Sequence, residues 1–202
     1  MNMLRTSMVA ANLRDRLEPA ENAEMLVDEV EGERPHARKS AVLVPLFEHQ
    51  GDTFVIFIRR ASTLRAHSGE IAFPGGKVDP EDISPIMTAV REAEEELGLA
   101  PERIEVLGVL KPVFTVVSNF LITPVVGYLP EGPGQLTLQQ SEVAELLLVP
   151  LSELQNPAIF HTEQWNNAQI SRTIYFYDYG SYRIWGATGR ILNAFLQLLS
   201  TK

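Results

Sequence analysis

From Ser40 onward the apolar positions fall into short clusters separated by turn residues. A-V-L-V-P-L-F (41–47) is almost wholly apolar and predicts a strand. Gln50-Gly51-Asp52 marks a turn, and T-F-V-I-F-I-R-R (53–60) predicts a second strand. E-I-A-F-P (70–74) predicts a third, stopped by Pro74-Gly75-Gly76. Further strands are expected over 103–110, 119–129, 143–149 and 172–179. After residue 84 the period changes. Ile86, Val90, Ala93 and Leu97 recur at helical spacing and form one apolar seam. Ser84 is a good N-cap, Pro85 suits the first helical position, and Gly98 supplies the stop. T-G-R-I-L-N-A-F-L-Q-L-L (188–199) predicts a last amphipathic helix. Before residue 38 the chain is polar and charged. Leu4, Leu13, Leu17, Met25 and Leu26 are spaced loosely enough for short helical pieces on a surface arm. The pattern predicts an arm over 1–37 and one mixed α/β domain over 38–202, with strands dominating its middle.

Composition narrows the function classes. The 202 residues include no cysteine, which excludes disulfides and thiol chemistry and fits a cytoplasmic protein. No apolar run is long enough to span a membrane, and the first residues do not read as a secretory signal. The formal net charge is −9 and no Lys/Arg block is evident, so an electrostatic nucleic-acid binder is not expected. An acidic enzyme can still hold an anionic substrate through a local basic patch or a metal ion. The sequence leaves room for a homodimer.

The helix after residue 84 carries the candidate chemistry. Glu92, Glu94, Glu95 and Glu96 crowd its C-terminal end, where the helix dipole disfavours negative charge. Like charges at i,i+4 also repel. Glu92, Glu95 and Glu96 share an arc roughly 100° wide, while Glu94 lies elsewhere. Two readings fit this spacing. One is a charged helix surface. The other is a site for a hard divalent cation, which would offset both penalties.

The residues upstream bear on that choice. G-G-K-V-D-P-E-D, eight residues, then R-E-A-E-E-E-L-G-L resembles the Nudix box, the signature of Nudix hydrolases. Gly76, Arg91, Glu92, Ala93, Glu95, Glu96, Gly98 and Leu99 fall on its pattern. Asp82 stands where the family has glutamate, and the gap from it to Arg91 is one residue longer than usual. The resemblance implies a Nudix-type α/β/α sandwich with a mixed β-sheet. It implies hydrolysis of a nucleoside diphosphate derivative with Mg²⁺ or Mn²⁺ held by Glu92, Glu95, Glu96 and the Gly75 carbonyl. Arg91 would orient a glutamate, and Glu142, with Glu145 as second choice, would supply a distant acid for metal or base work.

The segment R-R-A-S-T-L-R-A-H-S-G-E-I-A-F-P-G-G (59–76) resembles the extra motif of the coenzyme A pyrophosphatase subfamily, through Arg60, Ala61, Arg65, Gly69, Phe73, Pro74, Gly75 and Gly76. The motif's opening Leu-Leu-Thr is Ile56, Phe57 and Ile58 here. The tail Y-R-I-W-G-A-T-G-R-I-L (182–192) is similar too. The resemblance implies cleavage of CoA or its thioesters to 3′,5′-ADP and the 4′-phosphopantetheine portion. Arg59, Arg60, Arg65, His67, Gly69 and Lys77 become the expected substrate contacts, arginine forks being suited to phosphate. The alternatives are a Nudix hydrolase of ADP-ribose, NADH or a similar compound, and a non-catalytic ligand sensor. Trp165, Tyr175, Tyr177, Tyr179 and Trp185 read as core or interface aromatics, and His161 and Asp178 have no assigned role.

Overall fold

The protein is described by a computed structural model over residues 8–31, 36–62, 68–166 and 171–200. Two helices come first, α1 (Met8–Arg14) and α2 (Ala23–Glu31). Strands β1 (Arg38–His49), β2 (Asp52–Arg60), β3 (Ile71–Ala72) and β4 (Gly75–Lys77) follow. Then come helix α3 (Pro85–Leu97) and strands β5 (Glu105–Val109), β6 (Val113–Thr115), β7 (Phe120–Tyr128) and β8 (Val143–Pro150). The chain ends through a short helix α4 (Leu151–Leu154), strands β9 (Phe160–Asn166), β10 (Ser171–Tyr179) and β11 (Tyr182–Ile184), and helix α5 (Gly186–Ser200).

The main sheet is mixed, as expected. β1 runs parallel to β7 and antiparallel to β2, while β5 and β6 lie antiparallel on β7 and β8 closes the far edge of β2. Side chains alternate between its faces. Val55 and Phe57 face one way, toward Ile191, Leu192 and Phe195 of α5. Ile56 and Ile58 face the other way, into the cluster that holds Ala89, Ala93 and Leu97 of α3. Helices on both faces of one sheet make the α/β/α sandwich.

One break in the sheet positions the site. β1 and β2 pair only from Leu46↔Val55 to His49↔Asp52. Beyond that they separate, and β3 on β2 and β4 on β1 occupy the gap. β4 thus ends beneath α3.

The N-terminal segment is not the surface arm its composition suggests. Ala10, Leu13 and Leu17 are buried in the α5-side cluster, and Ala23 and Leu26 in the α3-side cluster. Between them Glu18 exchanges backbone hydrogen bonds with Val109 at 3.1 and 2.9 Å, so the segment wraps the β5 edge of the sheet. Arg14 pairs with Glu105, and Arg16 Nη1 donates to the Leu198 carbonyl at 2.8 Å. The loose leucine spacing hid this because each short helix buries only two or three side chains. Leu13→Ala should therefore destabilise the fold by about 3 kcal/mol in urea unfolding, as deletion of a core leucine does. An arm lying in solvent would show a change within about 0.5 kcal/mol.

A second, three-stranded sheet, β11-β10-β9, stands apart from the first. β9 and β11 were not legible in the sequence. β9 is exposed along almost its whole length, so it lacks the alternation that marks a half-buried strand.

Candidate active site

α3 begins and ends where its caps predict. Ser84 Oγ accepts from Met87 N at 3.2 Å, and Gly98 closes the helix in the left-handed region with φ +66°. Its buried side is turned relative to the predicted seam. Thr88, Ala89, Ala93, Glu96 and Leu97 are buried, whereas Ile86 and Val90 are half-buried. Glu96 is therefore not on a solvent-facing patch with its fellow glutamates. It lies against the edge of the core, 2% exposed.

Two glycines allow this approach. Gly75 has φ +154°, and a Cβ there would overlap the Ala41 carbonyl and Val42. A Cβ on Gly76 would run into the Glu92 carboxylate. With both side chains absent, β4 presents bare backbone to α3. The Gly75 N–H donates to Glu96 Oε2 at 3.0 Å.

The other oxygen of Glu96 is left without a partner among the described residues. Glu96 Oε1 is buried and accepts no hydrogen bond, and Arg60 Nε is buried and donates none. Arg60 Nη1 stands 4.0 Å from Glu96 Oε1, a Coulombic contact without a bond. Burial, reinforced by the charges of Glu92 and Glu142, pushes the Glu96 carboxyl up to about 8. Glu92 is raised as well, first by burial and then by Glu95 and Glu142, although Arg91 opposes the shift. Glu142 on the approach to β8 thus acts electrostatically on both helix carboxylates. Its backbone carbonyl accepts from Ala61 N at 2.8 Å, tying that approach to the end of β2.

Arg91 and Asp82 build the wall of the site. Arg91 Nε and Nη2 fork onto Asp82 at 3.1 and 2.9 Å. Arg91 Nη2 also donates to the Lys77 carbonyl at 3.1 Å, and Nη1 to Glu92 at 3.1 Å and Glu95 at 3.2 Å. Asp82 accepts further from Asp79 N and Thr88 Oγ1, both at 2.9 Å, and its side chain is 1% exposed. The arginine fork holds the Asp82 carboxyl down to about 2. The lengthened loop before α3 is thereby fastened to the helix, and Asp82 serves Arg91 and Thr88. Thr88 was invisible in the sequence because nothing marks a mid-helix threonine as a partner.

Glu95 points elsewhere. It is 59% exposed in its side chain and shares Arg91 with Glu92. Among the described residues no three His, Asp or Glu side chains are gathered closely enough to form a ready metal cage. The expected Glu92–Glu95–Glu96 triangle is thus open in this structure. The donors still suit a hard divalent cation. They are carboxylates at an edge of the core, one with an orphaned buried oxygen, crowded enough to raise each other's proton affinity.

The expected substrate contacts separate into two places. Arg60 faces Glu96. Arg59, one residue earlier, donates from Nε to Glu145 Oε2 at 2.7 Å. Glu145 also accepts from the Tyr182 hydroxyl, and these bonds, Tyr182's first, lower its proton affinity. The two candidate distant acids are therefore not equivalent: Glu142 acts on the carboxylate patch, whereas Glu145 is held by Arg59 and Tyr182. Gly69 joins Arg59 and Glu145 in the wall of a cleft of about 500 Å³. Lys77 is exposed and offers its carbonyl to Arg91. Arg65 and His67 lie outside the described residues. No helix among the described residues is long and apolar enough to cross a membrane.

Comparison with known proteins agrees with this geometry. Residues 37–171 match the NUDIX domain family. The chain is 40% identical over 160 residues to the uncharacterized Nudix hydrolase NudL of Photorhabdus laumondii, covering 79% of this chain and 84% of that one. It is 39% identical over 156 residues to the Pectobacterium atrosepticum protein of the same name, covering 77% and 80%. Among solved structures, a Caenorhabditis elegans Ap4A hydrolase in a binary complex superposes with TM-score 0.52 at 18% identity, over 81% of this chain and 98% of that one. A MutT/nudix family protein from Enterococcus faecalis gives TM-score 0.52 at 17% identity, over 89% and 70%. These two likenesses concern the fold. A domain match across most of the chain, with relatives near 40% identity, shows that the chain belongs to the Nudix hydrolase family.

Proposed function

We propose that this Nudix hydrolase cleaves the pyrophosphate of coenzyme A or its thioesters, releasing 3′,5′-ADP and 4′-phosphopantetheine or its acyl derivative. The observation that carries the reading is the segment 59–76. Two of its residues support the reading: Arg60 stands beside Glu96, and the Gly75 N–H binds the same carboxylate.

Glu92, Glu96, Glu142 and the Gly75 carbonyl would hold Mg²⁺ or Mn²⁺, with Glu95 joining from the rim. The cation, when bound, supplies charge neutralisation for the pyrophosphate and acidifies a water. The chain's own groups do the rest. Glu96 is fixed by the Gly75 amide, and Glu92 is held over Gly76 by Arg91. Arg91 is locked to Asp82, so it orients carboxylates and is not available as a substrate fork. Burial and mutual repulsion raise Glu92 and Glu96, the direction that makes a carboxylate a better proton acceptor near neutral pH. The general base is drawn from this set. Arg60 and Arg65 are the guanidinium groups for phosphate, with His67 and Lys77 as further contacts.

The subfamily reading is tested by comparing kcat/KM for CoA, dephospho-CoA, ADP-ribose and NADH with Mg²⁺ or Mn²⁺. CoA should be the best substrate, and loss of the 3′-phosphate should cost about 10- to 100-fold, the size of one or two charge-assisted bonds. ADP-ribose or NADH outrunning CoA would overturn the reading of residues 59–76 and leave the hydrolase chemistry in place.

A further inference from the structure

We propose that the cleft between β3 and the turn into β11 binds the uncharged, amide-bearing arm of the substrate and disfavours its phosphorylated nucleoside half. The proposal rests on the CoA reading above, in which that arm is the pantetheine.

The cleft is lined by Arg59, Gly69, Glu145, Tyr182, Arg183 and Trp185, among others, and its volume of about 500 Å³ suits a small-molecule group. Among the described lining residues, two arginines at first suggest an anion site. Both are already paired. Arg59 is bound to Glu145 at 2.7 Å, and Tyr182 closes the other Glu145 oxygen. Arg183 forks onto Asp178 at 2.7 and 3.2 Å. A phosphate entering here would have to displace a carboxylate from its arginine or lie beside Glu145. A neutral chain meets neither cost. It finds apolar surface on Trp185, whose ring is backed by Phe176 at 6.1 Å and nearly parallel to it. Arg59 uses Nε on Glu145 and has other N–H groups in its fork that suit amide carbonyls.

Three chain segments link the cleft to the carboxylate patch. Arg59 in the cleft adjoins Arg60 at Glu96. Glu145 lies three residues along the chain from Glu142. Ile71 lies four residues before Gly75. Arg59 and Arg60 lie at the end of β2, where its pairing with β8 shifts register, and one side chain meets Glu145 while the other stands by Glu96. A substrate bound to both places therefore needs an arm on the order of 10 Å, three residues of extended strand, running from its pyrophosphate. A long, flexible, uncharged arm meets the requirement.

The test uses the two tryptophans of the chain. Trp165→Phe removes the exposed one, which lies outside the cleft lining, and leaves Trp185 as sole reporter. Titration with 4′-phosphopantetheine should shift Trp185 emission, and titration with 3′,5′-ADP should not. In the same background Glu145→Gln or Tyr182→Phe should raise the KM for CoA about tenfold with kcat within about twofold, the signature of lost ground-state binding. Emission that responds to 3′,5′-ADP alone would assign the cleft to the nucleoside half and overturn the proposal. CoA cleavage with Trp185 silent to both ligands, or with KM unchanged in both variants, would remove the cleft from the substrate path. Failure of the wild-type protein to cleave CoA while it cleaves ADP-ribose would overturn the CoA reading, and the arm assignment with it.

Discussion

Glu96→Gln is expected to lower turnover about 1,000-fold and to make the metal-free protein more stable at pH 8. The two effects share one cause. Glu96 is buried beside Glu92 and Glu142, with one oxygen on the Gly75 amide and the other without a partner among the described residues. A buried carboxylate that neutralises a cation contributes several kcal/mol to the transition state, and about 4 kcal/mol is three decades in rate. Without the cation the same charge is a liability. The Glu96 carboxyl rises from its ordinary 4.5 to about 8 on folding, so the folded state binds the proton more tightly than the unfolded state. The stability tied to that proton is fully present below pH 4.5 and is lost as pH rises toward 8. Thermal melts in EDTA should therefore show stability falling between pH 5 and 8 in the wild type and a flatter profile in Glu96→Gln. Mg²⁺ or Mn²⁺ should recover the wild type at pH 8 and leave the variant unmoved. Turnover near wild type in Glu96→Gln would remove Glu96 from the metal site.

Arg91→Ala should destabilise the fold by about 3 kcal/mol, roughly 6–12 °C in Tm for a chain of this size. Arg91 is the link between the pre-helix loop, the helix and two of its glutamates. Its removal leaves Asp82, 1% exposed, as a carboxylate without its fork. The sign of the pH effect is opposite to that of Glu96. Asp82 falls from 3.8 to about 2 on folding, so its contribution is present above pH 3.8 and is lost as pH drops toward 2. The wild type should lose stability over that acid window, and Arg91→Ala should lose less. Arg91→Lys should not restore the protein, because a single ammonium cannot fork onto Asp82 and also reach the Lys77 carbonyl and Glu95. Arg91→Ala/Asp82→Ala should recover part of the loss, since no buried charge is then left unpaired. Equal melting of Arg91→Ala and wild type would contradict this role.

Local rules wrote much of the structure plainly. Ser84, Pro85 and Gly98 bound α3, and the apolar runs around Val44, Ile56 and Val125 are strands, because caps and continuous burial leave strong local signals. The acidic character of the site was legible for the same reason: a cluster on one helix turn survives any tertiary arrangement. Which glutamate turns inward was not. Glu95 and Glu96 are neighbours in sequence, yet one is solvated beside Arg91 and the other is buried on Gly75, a difference set by where β4 passes under the helix. Long-range pairs were equally hidden. Arg59 is bound to a residue 86 positions away and Tyr182 to one 37 positions away, so neither the neutralised cleft nor its shape is written in any one segment. The N-terminal helices were misread because each adds only a few apolar residues to cores built elsewhere.

The most direct test of the account is product identification after the purified protein is mixed with CoA, in Mg²⁺ or Mn²⁺ and in EDTA. Release of 3′,5′-ADP and 4′-phosphopantetheine with either metal, and neither product in EDTA, is the predicted result. Intact CoA under all conditions, or equal release in EDTA, would contradict it.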